Sequence, residues 1–197
     1  MSQSVFNFAV IHDYSPENFL VSPSNREAYD YIQNFPWPSY ALNIHGPSGS
    51  GKTYLANILA NNHKVHILDG VDSTINQKEF LHHLNSAKEA GEYILITSER
   101  PLAELSFTLP DLTSRLVAIN SIRINKPDAE LFYQLFARNF SARQLKISDD
   151  VITYLSSRVE RDFSAALDTV AKIDRLSLEQ KRNITIPLVK MILSNAA

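Results

Sequence analysis

The 197-residue sequence predicts an α/β fold, a P-loop domain with about four parallel strands, followed by a small all-helical domain. Three observations predict it. Short apolar runs of strand length alternate with helical patterns up to about residue 124, which argues for a parallel sheet. The first of these strands opens directly into Gly46, Pro47, Ser48, Gly49, Ser50, Gly51, Lys52 and Thr53, a match without mismatch to the phosphate-binding pattern G-x-x-x-x-G-K-[ST]. Beyond Pro127 the spacing of apolar residues is helical and no further strand pattern occurs.

The elements follow in order. Residues 1–22 read as irregular, polar with scattered aromatics and Pro16. Ser24 and Glu27 have the spacing of a capping box, so a helix is expected from there to about residue 34, ended by Pro36, Trp37 and Pro38. Residues 40–45 form the first strand, with Ala41, Leu42 and Ile44 apolar. The phosphate loop leads into a helix from Lys52 to about residue 60, with Leu55, Ile58 and Leu59 on one face. Residues 64–69 are a second strand. Asn76 and Glu79 cap a helix whose Phe80, Leu81, Leu84 and Ala87 face inward, and Gly91 stops it. Residues 93–97, nearly all apolar, suit a strand buried on both faces. Residues 116–124 are expected to form the fourth strand. Asn125, Lys126 and Pro127 make the joint, and helices are expected over about 128–140, 149–158 behind Ser148, 163–176 and 187–193. The expected division is 1–18 for the N-terminal tail and lead-in, 19–124 for the α/β domain and 125–197 for the helical domain.

Composition excludes several classes. Charged residues make up 20% and the net charge is -2, which does not suit a nucleic-acid-coating or membrane-surface protein. There is no cysteine, so no disulfide, thiolate zinc site or cysteine nucleophile. No apolar run reaches membrane-spanning length and no signal-peptide pattern is visible, so a cytoplasmic protein without membrane contact is expected. The six histidines have no metal-ligand spacing.

The chemistry concentrates around the phosphate loop. A strand, a glycine-rich turn and a helix N-terminus aim successive backbone N–H groups at one phosphate chain. Lys52 reaches the β- and γ-phosphates in this motif, and the Thr53 hydroxyl holds Mg. Asp69 ends the second strand, where an acid supplies a further metal contact, and Gly70 stands where many ATPases place a second acid. Thr97, Ser98, Glu99 and Arg100 end the third strand at the edge that faces the ligand crevice. By spacing alone Arg115 reads as a solvated surface arginine.

Taken together these segments resemble the Hda proteins, truncated paralogues of the bacterial replication initiator DnaA within the AAA+ class. The resemblance spans nearly the whole chain. Residues 19–25 are similar to the family's lead-in beside the adenine, which places Leu20, Val21 and Asn25 at the base, with Tyr54 after the loop. Residues 96–101 resemble sensor 1, with Thr97 and Glu99 toward the nucleotide, and 109–116 resemble the arginine-finger segment, which makes Arg115 a finger acting in trans. Residues 185–190 resemble the start of the last lid helix. Ser164 departs from the sensor-2 arginine, and the nearby Arg161 is the substitute. Gln3, Phe6 and Phe8 match the anchors of the family's sliding-clamp peptide, with Ser4 in place of its usual leucine. The resemblance implies ADP or ATP with Mg as ligand, DnaA and the DNA polymerase III beta sliding clamp as partners, a possible homo-oligomer, and weak hydrolysis by the chain itself. It implies no direct sequence-specific DNA binding, because DnaA's C-terminal DNA-binding domain has no counterpart. The implied role is negative regulation of replication initiation through hydrolysis of DnaA-bound ATP. An autonomous P-loop ATPase and an adaptor without stimulating activity are the alternatives.

Overall fold

The protein is seen in a computed structural model that describes residues 14–180 and 182–194. Four strands, β1 (Ala41–His45), β2 (Val65–Val71), β3 (Tyr93–Ser98) and β4 (Asn120–Arg123), pair in parallel in the order β2-β3-β1-β4. All five residues of β1 are buried, as a central parallel strand covered on both faces requires. Alternate residues serve opposite faces. Leu42 and Ile44 of β1 and Leu95 of β3 pack with Leu55, Ile58 and Leu59 of α2 (Lys52–Asn62) and with Ala28 and Ile32 of α1 (Arg26–Gln33). Ala41, Ile94 and Ile96 pack on the other face with Phe80 and Leu84 of α3 (Gln77–Ala90) and Leu112 and Leu116 of α4 (Pro110–Val117). The result is a three-layer α/β/α sandwich with the phosphate loop at the C-terminal end of the sheet.

The remaining helices, α5 (Ala129–Ala142), α6 (Asp149–Arg158), α7 (Phe163–Gln180) and α8 (Ile186–Ser194), enclose a second core. Phe132, Phe136 and Phe140 recur every fourth residue on α5 and have no solvent exposure. Each such ring contributes roughly 1.5–3 kcal/mol by leaving water. Val151, Leu155, Val170, Ile173, Leu188 and Val189 complete that core. The Asp128 carboxylate starts α5 by accepting the Leu131 N–H at 2.9 Å. Among the described residues no helix is long and apolar enough to cross a membrane.

Four local expectations need correction. The capping box at Ser24 does not form: the Ser24 hydroxyl pairs with that of Ser22 at 2.7 Å, and α1 begins after Asn25. Ser148 precedes α6 without a side-chain cap bond. The stretch 116–124 is not one strand. Leu116 completes α4, and β4 begins only at Asn120. The apolar residues Leu112, Leu116 and Ile119 recur at helical spacing and bury one side of the α4 turn, so residues that a short apolar run assigned to a strand serve a helix face. The third lid helix also continues to Gln180. The cap at Asn76 does form, its side chain accepting from the Lys78 and Glu79 N–H groups, and Gly91 ends α3 at φ 66°.

Candidate functional site

The C-terminal ends of β1, β2 and β3 meet at a polar cleft of about 430 Å³. Ser48, Gly49, Lys52 and Thr53 line it from the loop and α2, Asp69 and Gly70 from β2, and Thr97, Glu99 and Arg100 from β3 and the turn after it. The loop's path demands glycine, as Gly46 and Gly51 show. Gly46 lies so close to the neighbouring strand's continuation that a Cβ would sit 2.6 Å from the Ile124 carbonyl oxygen. Gly51 has φ +90°, and a Cβ there would meet the Phe19 ring at 2.9 Å.

Lys52 bends back across the loop and donates to the carbonyls of Gly46 and Pro47, both at 2.8 Å. Burial pushes its ammonium pKa down, and the nearby Glu99 and Asp69 carboxylates oppose that shift. The cation therefore stands at the mouth of the loop where a phosphate would replace its carbonyl partners.

Asp69 is the hub of the cleft. One carboxylate oxygen accepts from the Thr53 hydroxyl at 2.8 Å, and the other accepts from the Thr97 hydroxyl. Thr97 in turn accepts from the Gly70 N–H at 2.8 Å. Thr97 is fully buried, so its rotamer and hydrogen-bond direction are held by packing. Thr53, predicted as a metal ligand, is thus linked through Asp69 to Thr97 on β3. Mg takes oxygen ligands, keeps several waters and uses one or two protein groups plus phosphate oxygens. A hydroxyl and a carboxylate within 2.8 Å of each other fit that demand. Behind the cleft, the buried Asn43 amide donates to the Ile96 carbonyl and the Ser98 hydroxyl and accepts from Ser121, so β1, β3 and β4 share one polar tie.

A second hollow of about 290 Å³ adjoins the other side of the loop. Leu20, Asn25, Gly51 and Tyr54 line it from the α/β domain. Asn25 is nearly buried and braces the lead-in by accepting from the Ser22 N–H and donating to the Leu20 carbonyl, both at 2.8 Å. The lid supplies Leu131, Leu135, Arg138 and Phe163. These lid residues were not singled out in the sequence. Their signal was faint: positions 131, 135, 138 and 142 fall on one face of α5, beside the buried Phe132–Phe136–Phe140 face.

The other predicted residues lie apart. Val21, flanking Leu20, lines neither cavity. Arg161 is exposed and also lines neither. Ser164 gives its N–H and hydroxyl to the Asp162 carboxylate and so starts α7. Arg115 sits in the last turn of α4, part-exposed, outside the cleft that holds Lys52 and Asp69. Gln3, Phe6 and Phe8 lie outside the described residues.

Residues 128–193 match the family described as Hda, lid domain. Over 92% of this chain and 91% of the relative, the sequence is 26% identical to an uncharacterised protein of Haemophilus influenzae. Domain III of the Thermotoga maritima replication initiation protein DnaA matches 93% of this chain and 97% of its own at 19% identity, with a TM-score of 0.80. AMPPCP-bound DnaA from Aquifex aeolicus matches 84% of this chain and 65% of its own at 20% identity, with a TM-score of 0.63.

Proposed function

We propose that this chain, whose residues 128–193 match the Hda lid-domain family and whose fold resembles domain III of DnaA, is a compact AAA+ protein of the DnaA/Hda type and a nucleotide-bound regulator of replication initiation that acts on DnaA. Adenine nucleotide, ADP or ATP, occupies the two adjoining cavities, with its phosphates on the loop and its base toward Leu20 and Asn25. Lys52 binds the phosphates, and Thr53 with Asp69 holds Mg, which supplies charge neutralisation there. The AMPPCP-bound DnaA of similar fold supports an adenine ligand. Gln3, Phe6 and Phe8 anchor the chain to the sliding clamp, a glutamine and two rings being suited to an apolar pocket. Arg115 then reaches ATP held by DnaA and stabilises the charge that develops as the γ-phosphoryl group leaves. The outcome is ADP-bound DnaA and restrained initiation.

The observation that carries this reading is the situation of Arg115. Among the described residues its side chain makes neither a hydrogen bond nor an ion pair, its backbone carbonyl alone accepting from the Ala118 N–H, and it stands on α4 outside the chain's own phosphate cleft. An arginine so placed is of no use to its own ligand and available to a neighbour's. The test is the fraction of labelled ATP on DnaA converted to ADP in the presence of clamp loaded on DNA. The wild-type chain should accelerate conversion, and Arg115→Ala should lose the finger's contribution, about 10³–10⁵-fold in comparable systems. Arg115→Lys should rescue poorly, because a point charge lacks the guanidinium fork. Full stimulation by Arg115→Ala would sink the finger assignment. Rapid turnover of ATP by this chain alone would favour an autonomous ATPase.

A further inference from the structure

We propose that Arg138, on the first lid helix, is the lid's contact to the base and ribose end of the bound nucleotide. The inference rests on the reading of the two cavities as one nucleotide site. The resemblance put Arg161 in place of the lid arginine absent at Ser164, yet neither residue serves the cavities: Ser164 is spent on Asp162 and Arg161 lines neither.

Arg138 meets the geometric need from another helix. It is the one cationic side chain among the described residues lining the 290 Å³ hollow. It crosses the domain boundary, donating to the Asn18 carbonyl, and its guanidinium lies 5.9 Å from the centre of the Tyr54 ring. Tyr54 directly follows Thr53 in the first turn of α2, so the cation lies beside the start of the phosphate-binding helix. The other polar side chains of the hollow are committed elsewhere. Asn25 is held by Ser22 and Leu20, and the Asn139 amide donates to the Leu135 carbonyl at 2.7 Å. A guanidinium carries five N–H donors, and one bond to Asn18 leaves others to offer. It is also planar, can stack on aromatic faces, and already lies over the Tyr54 ring. Leu20, Leu131, Leu135 and Phe163 make apolar walls from both domains, suited to a flat heterocycle. A base entering between those walls meets the face and donors of Arg138. The same contact ties the lid to the ligand without a residue at the sensor-2 position.

Titration calorimetry with Mg, on the full chain, separates the two ends by using ADP and inorganic pyrophosphate as ligands. Arg138→Ala should weaken ADP by about tenfold or more, the scale of a desolvated cation–π contact with a hydrogen bond. Pyrophosphate, which reaches only the loop, should bind as in the wild type. Arg138→Lys keeps charge and stem but not the plane. It should fall between the two, and it carries the test if Arg138→Ala does not match the wild type's thermal unfolding without ligand. Equal losses for ADP and pyrophosphate, or no loss for ADP, would overturn the assignment of Arg138 and leave the nucleotide site standing. Failure of the wild-type chain to bind either ligand would overturn both.

Discussion

The two cavities on either side of the phosphate loop are built on opposite plans. The 430 Å³ cleft is polar, and all its residues come from one domain, at the ends of three adjacent parallel strands. Its recognition elements are a backbone path, one lysine and the Thr53–Asp69–Thr97 chain of hydrogen bonds. The 290 Å³ hollow is mostly apolar and needs two domains to exist, with Phe19 and Leu20 on one side and Leu131, Leu135 and Phe163 on the other. On the proposed reading, phosphates sit where a short segment of chain dictates geometry, because phosphate needs many N–H groups within one turn. On the same reading the base sits where surfaces meet, because the flat faces of a heterocycle suit walls on both sides.

Each of the following substitutions should act on one end, both ends or neither. The largest effect belongs to Lys52→Ala. It removes a charge-assisted contact and should weaken ADP and pyrophosphate alike, on the order of 100-fold, with the fold retained. Calorimetry on both ligands checks it, and a loss confined to ADP would break the comparison. Gly51→Ala comes next, because Gly51 lines the hollow and directly precedes Lys52 of the cleft. An alanine there must hold φ +90° and displace the Phe19 ring, which stacks on Tyr29 and tilts against Tyr54. Backbone strain of that kind costs about 1–3 kcal/mol. A lowered unfolding midpoint together with weaker binding of both ligands is expected; an unchanged midpoint would mean that the loop yields without cost.

The smallest effect should come from Glu92→Gln, at the open edge of the sheet and far from both cavities. Glu92 accepts from Lys64 at 2.8 Å and pairs with His66 at 2.6 Å, and these partners, Lys64 first, hold its carboxyl at about 2 instead of the usual 4.5. A carboxyl with a depressed folded-state pKa contributes stability above its ordinary value and loses it as pH falls through the folded value. The variant should therefore unfold slightly more easily than wild type near neutral pH, and the gap should close on acidification from about 4.5 toward 2. High salt should shrink the gap too. ADP affinity should not change. Unfolding midpoints against pH for both proteins test the sign, and a gap that widens on acidification would contradict it.

The first three strands, the loop and Lys52, Thr53, Asp69 and Thr97 were legible because each sits in a short run with its own signature. A buried parallel strand is an unbroken apolar run, and an acid or threonine at its end faces the crevice by the alternation of the pleat. The fourth strand was misread for the same reason. Leu116, Ile119, Ile122 and Ile124 are all buried, and period alone does not separate the last turn of α4 from a short strand after it. Ser24 had the spacing of a cap, yet its hydroxyl found Ser22, since local side-chain bonds compete with capping wherever the chain bends.

By itself the sequence determined the α/β-then-helical order, the phosphate loop and the acid and threonine that face it, because each depends on residues a few positions apart. Only the tertiary structure decided that Arg138 faces Tyr54 across the domain boundary, that Ser164 turns to Asp162, and that Arg115 stands on a helix away from its own cleft. Those placements depend on how a helix rotates to bury its apolar face. For α5 the burial of Phe132, Phe136 and Phe140 in the lid core turns the opposite flank, with Arg138, toward the phosphate loop.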